Sequence, residues 1–303
     1  MAQDRPLLGI MLMLGFCIVA PMGDAVAKIL GERVPLGQLL LIRFAVQAVL
    51  LIPLVAVTGR AWKMRGRVLW LTVLRTVLHI LGIGMMFSAL RYLPLADAVA
   101  IAFVMPFIML LLGHYVLGEE VGARRMIACA VGFAGTLMVV QPSFVEVGWP
   151  ALLPLGVAVN FSVFMLITRQ IAKDTDPIGL QAVSGVMAVV IMGPLLALGL
   201  NAPGLEVIMP TASDWGFLTA IGVLGTLAHL LMTWSLRYAP SATLAPMQYL
   251  EIPIATIIGF LVFSDFPNGL AAAGIVVTIA AGLYIVLRER AVARAAARTP
   301  APA

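Results

Sequence analysis

The chain has 303 residues, of which 62% are hydrophobic and 11% are charged, and its mean hydropathy is +1.07. Globular domains carry about 25% charged residues, and a soluble fold of this size cannot bury so much apolar surface. The net charge of +5 does not indicate nucleic-acid binding, because the basic residues stand in short clusters between apolar runs. The composition predicts a membrane protein.

Ten segments of the sequence have the length and composition of a membrane-spanning helix, which needs about 20 mostly apolar residues. They cover residues 6–29, 36–57, 68–90, 95–117, 124–141, 148–172, 178–199, 213–237, 242–263 and 269–288. The first run is too long for a leader peptide and is interpreted as a spanning helix. Short loops with Gly, Pro and charged residues separate the runs, so we expect an all-α, polytopic fold.

The lysines and arginines between these segments predict the orientation of the chain. With the N-terminus in the cytoplasm, 14 of them fall on the cytoplasmic side, 3 on the outer side and 2 within spans. This asymmetry predicts that both termini are cytoplasmic and that the membrane is a bacterial inner membrane. Residues 289–303 then form a basic cytoplasmic tail.

The two halves of the chain resemble each other at a spacing of 146 residues. ALRYLP at 89–94 corresponds to SLRYAP at 235–240, and Gly113 and Glu119 correspond to Gly259 and Asp265. PLG at 35–37 likewise corresponds to PIG at 177–179. We therefore predict two repeat units, residues 6–141 and residues 148–288.

Each predicted unit contains five helices, and an odd number of crossings gives the two units opposite orientations in the membrane. Inverted repeats of this kind are typical of secondary transporters, in which one central site opens alternately to either side. The pattern predicts a transporter of small molecules that works by alternating access.

Two stretches carry a family resemblance: ALRYLPLADAVAIAFVMPFIMLLLGHYVLGEEV followed by GFAGTLMVV, and SLRYAPSATLAPMQYLEIPIATIIGFLVFSDFP followed by AAGIVVTIAAGLYIVL. Both resemble the EamA domain of the drug/metabolite transporter superfamily. Leu117-Gly118-Glu119 matches the usual end of the motif, and Phe263-Ser264-Asp265 departs from it conservatively. Members export amino acids and drugs or import vitamins and cofactors. The chain is most similar to YddG-type amino-acid exporters, which implies export of amino acids, including aromatic ones.

The candidate substrate-binding residues are polar, sulfur-containing or aromatic side chains within the spans, because charged groups at membrane depth are costly and usually functional. We expect a central cavity lined by the first, third, fourth, sixth, eighth and ninth spans. Its predicted lining is His79, Glu251, His229, Asn160, Gln248, Tyr249, Arg75, Met105, Phe103, Phe161, Phe164 and Trp234. A structural role stays open for each, such as an ion pair between Glu251 and Arg75 or Arg43.

Helix breaks and close approaches are expected near the same cavity. Prolines interrupt the fourth and ninth spans at corresponding points, which is the best sequence pointer to a binding site in an inverted repeat. The predicted gating residues are Pro106, Pro246, Pro253, Gly82, Gly84, Gly222 and Gly225. Asp24 and Lys28, four residues apart, are interpreted as a local pair near the outer interface.

Two other functions compete with amino-acid export. One is an importer of a vitamin or cofactor such as riboflavin, for which the aromatic content is moderate. The other is an intramembrane enzyme, but no His-Glu-x-x-His motif occurs. We expect no enzymatic activity, no cofactor and no metal site. The predicted partners are a small-molecule substrate and the lipid bilayer, and the protein is expected to be a monomer or a homodimer.

Overall fold

The computed structural model describes residues 5–119, 122–140, 148–198, 204–264 and 269–298. These residues form twelve α-helices and one short 3-10 turn, Trp149–Leu152, with no strand among them. The helices are α1 Pro6–Gly31, α2 Leu36–Thr58, α3 Gly66–Ala89, α4 Leu95–Ala102, α5 Met105–Leu117, α6 Ala123–Val140, α7 Leu153–Ile171, α8 Pro177–Ala197, α9 Ala212–Tyr238, α10 Ser241–Gln248, α11 Glu251–Phe263 and α12 Gly269–Arg298.

The predicted all-α, polytopic fold is confirmed. In the described parts of the chain, seven helical segments are long and apolar enough to span a bilayer, with α4 and α5 counted as one, and α6, α11 and α12 contain shorter apolar stretches. Two features of the helices differ from prediction by more than a few residues. The fourth and ninth spans are each two helices placed end to end, and α12 continues through most of the predicted tail, to Arg298.

The fourth and ninth spans show how closely the two units repeat. Pro94 and Pro240 cap the starts of α4 and α10 with nearly the same backbone angles. At the other end, Gly118 and Ser264 adopt left-handed conformations with φ of 66° and 60° that end α5 and α11. Each donates its N–H to equivalent carbonyls of the last turn, as left-handed caps do. Glycine enters this conformation freely, whereas serine is strained in it.

Equivalent helices of the two units run in opposite directions. Near the start of α2, Gly37 lies against Leu196 at the end of α8, and further along α2, Ala48 lies against Gly185. The same antiparallel packing joins α1 to α9 and α3 to α7. The pairing of helices is therefore preserved when the two units are exchanged, as an inverted repeat requires.

The bundle has a basic end and an opposite end. The basic end contains the loops that follow α2, α7 and α9, together with the end of α5, and Arg60 there pairs with Asp176 at 2.9 Å. The opposite end contains the loops that follow α1 and α3 and the segment before α9. There Gln38 exchanges two hydrogen bonds with the backbone of Ile208.

Candidate functional site

A cavity lies between the two units, with about 620 Å³ of empty space that includes the part open to solvent. It is lined by six spans, which contribute residues of α1, α3, α4, α7, α9 and α11 together with Phe103 and Met105. The lining residues Ala20 and Asp24 of α1 and Gly82 to Phe87 of α3 lie in the halves of these helices that approach the opposite end, and Phe16 lies near the middle of α1.

The cavity wall is mostly apolar, and its polar groups are Asp24, His229 and Glu251. The Glu251 side chain starts α11 directly after the helix break and is only 7% exposed. In the described parts of the chain, no hydrogen bond or ion pair joins a protein group to either carboxylate. A buried carboxylate without a partner carries a large desolvation penalty when it is ionised, so a ligand that supplies a positive charge would stabilise its charged form.

A pair of histidines lies between the cavity and the basic end. The Nε2 atoms of His79 on α3 and His229 on α9 are 3.0 Å apart, and both side chains are buried. At this distance one Nε2–H donates to the other Nε2. His229 also lines the cavity, whereas His79 lies behind it. The pair therefore joins the two units directly, through the third helix of each.

Aromatic rings surround the histidine pair. Phe44 and Phe164 lie 5.1 and 4.9 Å from the ring of His79, and Phe161 stacks on Phe164 at 5.1 Å. Phe16 stacks on Phe161 with an interplanar angle of 18° and a separation of 6.5 Å. The cavity wall therefore presents ring faces beside the imidazoles.

Arg75, on the side of His79 nearer the basic end, is fully buried and held by side chains of the second unit. Its Nε donates to Thr168 at 2.8 Å and its Nη1 donates to Ser184 at 3.0 Å. The guanidinium also lies 4.6 Å from the centre of the Phe164 ring. These contacts join α3 to α7 and α8, so Arg75 stabilises the bundle and does not reach the cavity.

A second, smaller cavity adjoins the first at Ala20, Asp24, Ile83, Phe87 and His229. It adds Arg43 of α2, whose guanidinium lies 4.6 Å from the centre of the Phe44 ring and against Gly225. Asp24 and Arg43 thus face the same space. The combined site has a charged part, formed by these two residues, and a more apolar part beside Glu251.

The basic end is closed by polar contacts between the units. The Glu119 carboxylate at the end of α5 pairs with Arg169 of α7 at 3.2 Å and accepts hydrogen bonds from both the backbone and the hydroxyl of Ser241. Arg169 also donates to the carbonyl of Leu236. At the start of the chain, Arg5 donates its backbone N–H to Tyr238.

Seven of the twelve predicted substrate-binding residues do not line either cavity. His79 is one of them, and the other six have the following surroundings. Arg75 and Phe164 pack behind the wall as described. Asn160 donates to the Leu78 carbonyl at 2.8 Å, and Gln248 contacts the sulfurs of Met165 and Met109. The others are Tyr249, which is fully buried, and Trp234, which packs against a separate cluster of α2, α8 and α9 residues.

The predicted breaks and glycines have different surroundings. The chain leaves the helical path at 103–104 and 249–250, just before Pro106 and Pro253, which lie in the first turns of α5 and α11. Pro246 does not break its helix as predicted, because α10 continues to Gln248 between neighbouring helices that support it.

The glycines Gly82, Gly222 and Gly225 sit at close approaches between helices, to Asn160, Val46 and Arg43 respectively, where a β-carbon would lie within 3 Å of the neighbour. Gly84 makes only an ordinary contact, with its nearest neighbour at 3.5 Å from such a β-carbon. Close helix packing therefore explains three of the four.

Sequence reasoning missed Asp24, Phe16 and Phe87 on the cavity wall. The sequence predicts a pair between Asp24 and Lys28, but Lys28 donates to the Leu90 and Leu93 carbonyls just after α3. The signal was present, because Phe16, Ala20 and Asp24 recur every four residues. Such a spacing places them on one face of α1.

Residues 7–141 and 148–288 each match the EamA-like transporter family. The chain belongs to this family. One matched range lies in each half of the chain. With seven candidate spans in its described residues, this EamA-like chain is a multi-pass membrane protein of the drug/metabolite transporter type.

Several curated relatives of this EamA-like chain are bacterial transporters. The riboflavin transporter of Rhizobium johnstonii is 29% identical over 75% of this chain and 73% of the relative. The S-adenosylmethionine uptake transporter of Rickettsia bellii is 24% identical over 88% of this chain and 89% of the relative. The pseudopaline exporter of Pseudomonas aeruginosa is 26% identical over 85% of this chain and 88% of the relative.

A solved crystal structure shares the fold with a TM-score of 0.71 and 19% identity, and the similarity covers 95% of this chain and 98% of the other. At this identity the likeness shows the fold alone. The relatives differ in cargo and in direction, so the names of these proteins establish a transporter without fixing its substrate.

Proposed function

We propose that this protein is a secondary transporter of the inner membrane that moves a small organic metabolite by alternating access. The observation that carries the proposal is a mixed apolar and charged cavity between two antiparallel units, closed at the basic end by Glu119, Arg169 and Ser241. The excess of lysine and arginine at the basic end supports a cytoplasmic location for that end and for both termini. The cavity then belongs to a state that faces outward.

The first candidate substrate is an amino acid or a related amine, moved outward. Its ammonium group would meet Glu251 or Asp24, its side chain would lie against Phe16 and Phe161, and Arg43 in the adjoining cavity would receive a carboxylate. The second candidate is a vitamin or cofactor moved inward. It is favoured by the ring faces beside the histidine pair and by the names of the riboflavin and S-adenosylmethionine relatives.

Flux through purified protein in proteoliposomes tests the proposal. Vesicles are loaded with tryptophan, S-adenosylmethionine or riboflavin, and release is compared with that from empty-membrane controls. We expect release of at least one compound, and we expect Glu251→Gln and His79→Ala to abolish it while the protein remains monodisperse. Glu32→Gln, which alters an exposed carboxylate outside the cavity, is the matched control and should behave as the parent chain does.

Two results would overturn the proposal. One is absence of flux for all three compounds and for a wider amino-acid set in vesicles where the protein is folded. The other is normal flux in both the Glu251 and His79 variants. Rescue of a riboflavin or S-adenosylmethionine auxotroph, against increased resistance to a toxic amino-acid analogue, then decides between inward and outward transport.

A further inference from the structure

Glu251 is a charged group that the packing of the protein leaves without a partner. Its carboxylate lies on the cavity wall, its side chain is 7% exposed, and within the described residues no cation lies within 4 Å of it. Removing one charge from water without a compensating partner costs several kcal/mol in proteins. A ligand group that supplies the missing positive charge would recover much of that penalty.

The other charges of the site are already balanced in part. Asp24 and Arg43 face the same adjoining cavity with opposite charges, and Arg75 points away to Thr168 and Ser184. His229 is occupied at Nε2 by the neighbouring imidazole. Glu251 is therefore the carboxylate whose charge, when it is ionised, the protein offsets least.

The wall around Glu251 is aromatic. Phe16, Phe103 and Phe161 line the same cavity, and the first and last of these stack on each other nearly in parallel. Ring faces attract cations, by about 0.5–2 kcal/mol when water is excluded, and they stack with flat rings of a ligand. The same surface thus favours both a positive charge and an aromatic system.

We infer that the substrate is an organic cation that carries a flat aromatic ring, with its cationic group at Glu251 and its ring against the surface formed by Phe16, Phe161 and Phe103. This inference rests on the proposed function and specifies the substrate class of the same cavity. A cationic group would favour the ionised form of Glu251, whereas an anion of the same shape would meet no opposite charge there.

Three indoles with the same ring and a similar short chain provide the test: tryptamine is a cation, tryptophol is neutral and indole-3-propionate is an anion. Binding to the purified full-length protein in detergent is measured by calorimetry and thermal shift. We expect tryptamine to bind most tightly, tryptophol at least about tenfold more weakly, as expected for the loss of one charge-assisted contact, and indole-3-propionate not to bind. Equal affinities, or tighter binding of the anion, would overturn the inference.

Variants then locate the charge. Glu251→Gln keeps the size of the side chain and should lower tryptamine affinity about tenfold or more while leaving tryptophol within twofold. Glu32→Gln should change neither affinity. If Glu251→Gln reduces both ligands equally, the residue supports the shape of the cavity, and its assignment as the cation anchor is wrong.

Failure of this inference can be told apart from failure of the proposed function. Charge selectivity is measured by binding alone, without vesicles or a gradient. Vesicle flux of an anionic or neutral metabolite, together with indifference to charge among the indoles, would reject the cationic class and keep the transporter. Selective tryptamine binding without flux of any compound would reject transport and keep the cation site.

Discussion

For two glycines on α9, the structure predicts that the same substitution has opposite effects on stability. A β-carbon at Gly222 would lie 2.4 Å from Cβ and 2.5 Å from Cγ1 of Val46 on α2, whereas at Gly216 no atom lies within 4 Å. Glycine at position 222 thus lets α2 and α9 approach closely, as small residues do between membrane helices. Alanine should destabilise the protein at Gly222 and stabilise it at Gly216.

The magnitude follows from the distances. Ordinary contact between carbon atoms needs about 3.5–4.0 Å, so the helices must separate by about 1 Å or Val46 must leave its position. Val46 is β-branched and stiff, so the upper part of the usual overpacking cost, about 1–3 kcal/mol, applies. Alanine regains about 1 kcal/mol of helix propensity. We expect Gly222→Ala to lose about 2 kcal/mol and Gly216→Ala to gain up to about 1 kcal/mol.

Reversible unfolding in mixed detergent micelles measures both effects. The free energies of unfolding of the parent chain, Gly222→Ala, Gly216→Ala, Val46→Ala and the double variant of residues 46 and 222 form a cycle. Because Val46→Ala removes the clashing atoms, the second substitution should be nearly neutral in that background. The coupling between the two sites should then exceed about 1 kcal/mol, well above the scatter between independent sites.

The reasoning would be refuted if Gly222→Ala were as stable as Gly216→Ala, or if the cost were unchanged after Val46→Ala. Either outcome would mean that α2 and α9 do not approach as closely as the contact implies. A loss at both glycines would instead show that the membrane-facing surface of α9 also requires glycine.

Three further predictions concern single contacts. Ser264→Gly should raise stability by about 1 kcal/mol, because the left-handed backbone at φ 60° strains a residue with a β-carbon, and thermal unfolding measures it. Ser184→Ala should cost about 1–3 kcal/mol, the penalty for a buried charged donor that loses its acceptor, and the loss should vanish in an Arg75→Met background. Arg169→Gln should weaken the contacts that close the basic end. Maleimide labelling of a cysteine introduced at the buried Ser241 position, in a chain whose native cysteines are replaced, should therefore be faster. Unchanged labelling would contradict that role.

The sequence predicted the helical spans and the repeat because both depend on local or periodic patterns. Apolar length fixes a span, and the 146-residue spacing placed Gly118 opposite Ser264 and Pro94 opposite Pro240, which the structure shows as equivalent caps. The sequence predicted the positions of the helix breaks less closely than the spans, since a proline permits a break at several places. Pro246 lies within a continuous helix, and the break follows it.

The cavity could be predicted only in part, because depth in the membrane does not say which face of a helix a residue occupies. Trp234 lies five residues from His229, which turns it about 140° around the helix axis, and it packs against α2 and α8 residues on that other face. Asp24 shows the reverse error. It lies four residues from Ala20 and shares the cavity face with it. It also lies four residues from Lys28, but the predicted pair does not form because Lys28 donates to the Leu90 and Leu93 carbonyls. The contact of His79 with His229 depends on how α3 and α9 cross, which no local pattern contains.

The inverted repeat also explains an unusual buried group. Phe103 and Tyr249 are separated by 146 residues and their rings touch, with centroids 5.8 Å apart. Phe103 lines the cavity, whereas Tyr249 is fully buried against Gly132 and its hydroxyl has no hydrogen-bond partner among the described residues. A buried tyrosine hydroxyl normally finds a partner.

If the two units exchange conformations, as the proposed function requires, Tyr249 takes the place that Phe103 has here and its hydroxyl reaches the cavity. Tyr249→Phe should therefore stabilise the present state by removing an unpaired polar group, up to about 1–3 kcal/mol, and should slow vesicle flux because the other state loses a solvated hydroxyl. Phe103→Leu serves as a control that removes cavity surface without this asymmetry. Lower stability with unchanged flux in Tyr249→Phe would show that the hydroxyl is bonded in the present state, and the exchange would then not account for it.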